Sequence, residues 1–223
     1  MIAPKGWGHL KWWGSGECQA VLERLNDVRK AGQTHCPKRE DLFKALQAVP
    51  AEGVRVAIIG QDPYPDPRFA SGIAFSVPES IELHKLPPTL KTIFTEYCND
   101  LHYSYPTNGS LLPWCKQGVL LWNAIPSCSA FLSLSHDWPE WSLLTQEVIQ
   151  TLSRSGQTVF MFLGNTAKRF SGYVEPGEDC LVLSHPSPRA SLRATRPFLG
   201  SRCFSTINDL LVNQGLPAID WKL

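Results

Sequence analysis

The 223-residue chain has no run of 18 or more apolar residues, so nothing in it is expected to span a membrane. Its first residues, Met1-Ile2-Ala3-Pro4-Lys5-Gly6-Trp7, lack the apolar core of a secretion signal. It has no CxxC pair. The seven cysteines are scattered and odd in number, which points to reduced thiols in a cytoplasmic setting, nucleoid-associated if the source is bacterial. The six histidines stand apart and no cysteine spacing suits zinc, so no metal site is expected. An iron–sulfur cluster built on Cys18, Cys36, Cys98 and Cys115 is disfavoured for the same want of a CxxC. There is no internal repeat and no low-complexity linker. With 43% hydrophobic residues, the expectation is one domain over residues 1–223, its first fifty forming a helical N-terminal segment. A formal net charge of +1 names no partner by itself. Charge is unevenly placed, however. Between His185 and Ser205 there are four arginines (189, 193, 196 and 202) and no acid, which fits either a solvated basic face or a phosphate-contacting patch.

Four short apolar runs read as buried strands: Gly53 to Gly60, Gly118 to Asn123, Thr158 to Leu163 and Cys180 to Leu183. Helical patterns lie between and around them, at Glu17–Ala31, Arg39–Ala48, Thr89–Leu101, Trp138–Ser153, Thr166–Phe170 and Arg202–Asn213. Strands alternating with helices predict a three-layer α/β/α fold around a central four-stranded parallel sheet. In such sheets ligands bind beyond the carboxyl ends of the strands. The residues following the runs are Gln61-Asp62-Pro63-Tyr64-Pro65, Asn123 itself, Gly164-Asn165 and Ser184-His185-Pro186-Ser187-Pro188. A carboxylate, an amide and an imidazole should therefore meet on one rim.

Each of these residues also has an ordinary reading. Asp62 before a proline fits a turn, although Pro63 and Pro65 would hold a functional carboxylate rigidly. His185 fits a surface histidine, but its prolines fix the loop, and Ser187 with nearby backbone N–H groups could hold a phosphate. Asn123 could pin a loop, or it could read a group carrying a donor beside an acceptor. Phe75 in a glycine-containing loop fits the core, or a platform for a planar ligand. Trp7, Trp12 and Trp13 are expected to close over the core edge rather than to bind a partner.

In combination these stretches resemble the family-1 uracil-DNA glycosylases. The matching text is Val56-Ala-Ile-Ile-Gly-Gln-Asp-Pro-Tyr64, Gly72-Ile-Ala-Phe-Ser76, Leu86-Pro-Pro-Thr-Leu90, Lys116-Gln-Gly-Val-Leu-Leu-Trp-Asn-Ala124, His185-Pro-Ser-Pro188 and Pro217-Ala-Ile-Asp-Trp221. It runs from about Val54 to the end and is weak over the first fifty residues. The resemblance implies that Asp62 positions water and stabilises positive charge on the sugar. It implies that Tyr64 packs against uracil C5, Phe75 stacks on the base, Asn123 reads it, and His185 hydrogen-bonds it as it departs. Gln61, Ser187 and the Pro87-Pro88-Thr89 segment match positions that grip the substrate and its backbone.

The implied reaction explains those residue types. Cleaving the base–sugar bond leaves an oxocarbenium-like sugar, which a carboxylate stabilises, and a uracil anion, which a donor at O2 stabilises. An amide that accepts from N3–H and donates to O4 would leave cytosine's reversed groups unpaired. The Tyr64 ring would meet the C5 methyl of thymine. The base must leave the stack, and no cofactor is needed. No lysine stands at a site position, so no strand-cleaving step is expected. Implied partners are uracil-containing single- and double-stranded DNA and a phage-type, DNA-mimicking glycosylase inhibitor, with the chain acting as a monomer.

Three positions depart from the common family pattern: Pro65 after the tyrosine, Leu134 where a histidine is expected two residues before His136, and Arg189 in place of the leucine wedge after His-Pro-Ser-Pro. Poxviral members resemble this chain in the first and third. Two rival expectations stand beside this one. A non-catalytic DNA-binding module would need none of Asp62, Asn123 and His185. An enzyme of wider base range would still have Tyr64 facing a thymine methyl.

Overall fold

The computed structural model describes residues 2–191 and 194–223, with the side chains of Arg189 and Ser191 outside that description. Its helices are α1 (Glu17–Lys30), α2 (Lys44–Ala48), α3 (Pro88–Leu101), α4 (Leu112–Cys115), α5 (Pro139–Arg154), α6 (Asn165–Lys168), α7 (Pro188–Ser191) and α8 (Cys203–Asn213). The strands are β1 (His35–Cys36), β2 (Val56–Gly60), β3 (Val119–Asn123), β4 (Cys128–Ser129), β5 (Val159–Leu163) and β6 (Cys180–Leu183). The four apolar runs form one parallel sheet in the order β3-β2-β5-β6, flanked by helices. β2, β3 and β5 are buried at every position, which is why they read as continuous apolar runs rather than alternating ones. Edge strand β6 is only half-buried.

Residues 39–48, expected as one helix, are instead a 3-10 turn (Arg39–Asp41) followed by the short α2. Phe43 between them leaves helical geometry (ψ 19°) and buries its ring in the aromatic cluster with Trp12, Trp13 and Trp141. Tertiary packing overrides the local pattern there.

The N-terminal tryptophans do close over the core. Trp7 and Trp12 are buried, and Trp12 stacks on Trp141 of α5 at 5.6 Å. Their indole N–H groups donate to Val49 O (2.9 Å) and Glu140 O (2.7 Å), so each large apolar surface is buried without stranding its polar atom. The hydrophobic core includes residues from Trp7 to Trp221.

The C-terminal helix is fixed from below. Glu96 and Asp100 of α3 accept hydrogen bonds from Arg202 N (2.7 Å) and Ser205 N (2.9 Å) at the start of α8. Two carboxylates thus satisfy N–H groups that the first turn of a helix leaves without partners, and they complement its dipole. This clamp holds the far end of the arginine-containing segment.

Candidate active site

The parallel register sets Gly60 of β2 beside Asn123 of β3. Pairing continues past the strands, with Ala124 N–H donating to Gly60 O (3.0 Å) and Ile125 N–H donating to Gln61 O (2.9 Å). The Gln61-Asp62 turn is thereby held against the end of β3.

Gly60 explains how the rim closes. A Cβ there would lie 2.8 Å from Phe75 Cζ and 2.9 Å from Asn123 Oδ1, closer than real Cβ contacts come. Glycine lets an aromatic edge and an amide converge over the strand. Gly164 does the same on the other side. It has φ +92°, and a Cβ would come within 3.0 Å of His185 Cβ. The Phe75 and His185 rings are 6.4 Å apart, centre to centre.

Phe75 has φ 65°, a left-handed conformation disfavoured for a bulky residue. Its carbonyl accepts the Tyr64 hydroxyl at 2.9 Å. Burial holds that hydroxyl well above the ordinary tyrosine range, so it stays a proton donor. The Tyr64 turn and the Phe75 loop are thereby tied to each other. Asn123 is 9% exposed, and its amide makes no hydrogen bond to another described residue. A nearly buried amide facing an aromatic without a protein partner is suited to pair with a planar, hydrogen-bonding ligand.

Asp62 is the reverse case. Its Oδ2 accepts from Ser133 Oγ and Leu134 N–H, both at 2.6 Å, and its Oδ1 accepts from Gln61 Nε2 at 3.0 Å. Gln61 is held in turn by the Thr166 hydroxyl, which donates to its Oε1 at 3.1 Å. Behind the turn, Cys128 Sγ donates to Pro63 O (3.7 Å) and Cys36 Sγ donates to Pro65 O (3.4 Å). These two cysteines are opposite each other in the β1–β4 pair. Burial pushes the His185 imidazole below its ordinary value, and the charge of Asp62 only partly opposes this. Near neutral pH the ring is therefore uncharged, able to donate one hydrogen bond without bringing in a full positive charge.

A family model described as the uracil DNA glycosylase superfamily matches residues 47–211. The chain belongs to that superfamily. The uracil-DNA glycosylase of Thermobifida fusca (strain YX) is 38% identical over 222 residues, covering 100% of this chain and 95% of the relative. That of Coxiella burnetii (strain CbuG_Q212) is 41% identical over 207 residues, covering 92% and 88%. The crystal structure of mimivirus uracil-DNA glycosylase superposes with a TM-score of 0.84 at 25% identity, covering 96% of this chain and 85% of the viral one. A variant of the mimivirus protein, 26% identical with a TM-score of 0.84, was solved in complex with UGI over 94% of this chain and 84% of that one.

This member of the superfamily brings Gln61, Asp62, Tyr64, Phe75, Asn123 and His185 to one rim. Pro87 caps α3 and Pro88 and Thr89 begin its first turn, where N–H groups are free of helical partners. Ser187 Oγ accepts the Ala190 N–H (3.4 Å) at the start of α7. The backbone of Arg189 lies in α7, but its side chain is outside the described residues. Beside His185 runs a cleft of about 750 Å³ lined by Gly164, Asn165, Lys168, Ser184, Thr195 and Arg196. His136 is buried, with its ring nitrogens against Ser127 Oγ (2.9 Å) and Ser129 Oγ (3.0 Å) and its face on Trp138. Leu134 is exposed at its side chain and contributes its backbone N–H to Asp62. Sequence reasoning missed Ser133, Thr166 and the two thiols. None belongs to the stretches that follow the apolar runs; Thr166 comes nearest, two residues beyond Gly164, within the pattern expected as a helix.

Proposed function

We propose that the chain is a monofunctional uracil-DNA glycosylase that removes uracil from DNA in base-excision repair. The base leaves the stack and enters between Phe75 and the Tyr64 turn. The Asn123 amide accepts from N3–H and donates to O4. The bond between C1′ and N1 breaks, and its electron pair passes to the uracil ring. A neutral His185 donates to O2 as negative charge builds there. Asp62 faces the cationic sugar and directs water to C1′, giving an abasic site and free uracil. The observation that carries this reading is the paired state of the rim: an amide without a protein partner opposite an aromatic, beside a carboxylate held by three donors.

The relatives named uracil-DNA glycosylase support the substrate and the reaction class. The Lys168–Arg196 cleft and the Thr89 and Leu90 N–H groups in the first turn of α3 support DNA backbone contacts, with Ser187 and Arg189 on the same strand path. The mimivirus complex with UGI supports a DNA-mimicking inhibitor as a further partner. The chain acts as a monomer, without metal or cofactor, on single-stranded and duplex DNA. The test is incubation with a uracil-containing oligonucleotide in the presence of chelator, followed by alkali. Strand scission at the uracil is expected, and activity abolished by chelator would overturn the mechanism.

A further inference from the structure

We propose that Ser133 is a positioning residue for the Asp62 carboxylate, setting its rotamer for the chemical step. The proposal rests on the reading of Asp62 given above. Ser133 lies in an exposed loop that makes little sense as packing. Phe131, Leu132 and Leu134 are 78%, 61% and 43% exposed. Phe131 and Leu134 have φ of 64° and 62°, which is sterically unfavourable for both. Burial of apolar surface therefore does not explain the shape of this loop. Its hydrogen bonds to the Gln61–Pro65 turn do. Phe131 N–H donates to Pro65 O (2.7 Å), and Ser133 Oγ and Leu134 N–H both donate to Asp62 Oδ2 at 2.6 Å.

A carboxylate offers about four lone-pair positions. Two on Oδ2 are taken by Ser133 and Leu134, and one on Oδ1 by Gln61. One position on Oδ1 stays open for water. Gln61 Nε2 also approaches Ser133 Oγ at 3.4 Å, closing a ring of three side chains that Thr166 fixes from the neighbouring strand end. Of the two groups bound to Oδ2, only the Ser133 hydroxyl is a side chain, so it alone can be removed without altering the backbone. Without it, one lone pair of Oδ2 opens to solvent and the carboxylate gains freedom to rotate.

The test is single-turnover uracil release by Ser133→Ala, Ser133→Thr, Asp62→Asn and the Ser133→Ala/Asp62→Asn double variant, with KM measured alongside. Ser133→Ala should slow release about 10-fold, the scale of one hydrogen bond to a charged group, with KM unchanged. Ser133→Thr, which keeps the hydroxyl, should restore the rate. In the Asp62→Asn background Ser133→Ala should have no further effect. A Ser133→Ala enzyme with wild-type rate overturns the proposal. So does an equal slowing in the Asp62→Asn background, or a threonine variant as slow as the alanine one. If Asp62→Asn itself keeps full rate, the reading of Asp62 fails and the role of Ser133 falls with it. If Asp62→Asn collapses while Ser133→Ala is silent, only the role of Ser133 fails.

Discussion

Asp62 and Asn123 stand at the ends of adjacent strands, and the protein treats them in opposite ways. The Asp62 carboxylate receives three hydrogen bonds, and the turn that carries it is fixed by two thiols, two prolines and the Gln61–Thr166 contact. The Asn123 amide, nearly as deep as the core, has no partner among the described residues. The first arrangement suits a group whose charge must wait, already oriented, for positive charge to develop nearby. The second suits a recognition group whose partner arrives with the ligand, because an unmatched base would leave a buried amide unpaired. In the proposed mechanism, pre-organisation and recognition are thus divided between neighbouring strand ends, joined across Gly60.

The largest expected effect breaks the first half of this comparison. Asp62→Asn keeps the shape and removes the charge, and uracil release should fall roughly 1000-fold while DNA affinity stays within a few-fold. Rates and binding constants measured on the same oligonucleotide decide it, and equal losses in both would make Asp62 structural. Asn123→Asp breaks the second half. A protonated carboxyl can donate to cytosine N3 and accept from its exocyclic amine, so uracil release should drop about 100-fold and cytosine release should appear. Absence of cytosine release from a folded variant that has lost uracil activity would count against Asn123 as the base reader.

Acid sharpens the contrast. Burial lowers the His136 imidazole to about 4, and burial also moves His35 and His185 downward. The unfolded chain therefore takes up protons near pH 6.5 that the folded chain refuses. Stability should fall as pH drops from about 6.5 towards 4, with His136 contributing on the order of 3 kcal/mol across that window. Urea midpoints measured against pH should show this slope, and His136→Asn should flatten it. His136 braces the segment that leads to Ser133, so activity should fail with the Asp62 corner in acid before the fold is lost.

The smallest effect concerns Arg189. Arg189→Ala should lower initial rates a few-fold on duplex uracil and less on single strands, since flipping costs least from an unpaired base. Arg189→Leu should keep duplex activity with a weaker salt dependence. An unchanged duplex-to-single-strand ratio in Arg189→Ala would return this residue to the basic face.

Three of the four strands, β2, β3 and β5, were legible because each is buried on both sides, and the half-buried edge strand β6 still stood out as a short apolar run. Their parallel order followed from the alternation with helices, and the rim followed from the rule that strand ends carry the chemistry. Residues 39–48 were misread because Phe43 gives up helical geometry to join Trp12 and Trp141, a contact about a hundred residues away in the chain that no local pattern encodes. Ser133 was invisible for a related reason. It lies in an exposed, apolar-flanked loop with no motif, and its importance comes wholly from the 2.6 Å approach to a carboxylate 71 positions earlier.

The sequence by itself determined the family and the parallel sheet, and it singled out Asp62, Tyr64, Phe75, Asn123 and His185 as candidates, because short motifs and buried strands are local patterns. Only the tertiary structure decided which of these groups is already satisfied and which is left open. That depends on donors from distant loops meeting one carboxylate, and on two glycines whose missing Cβ atoms let the rings and the amide close on each other.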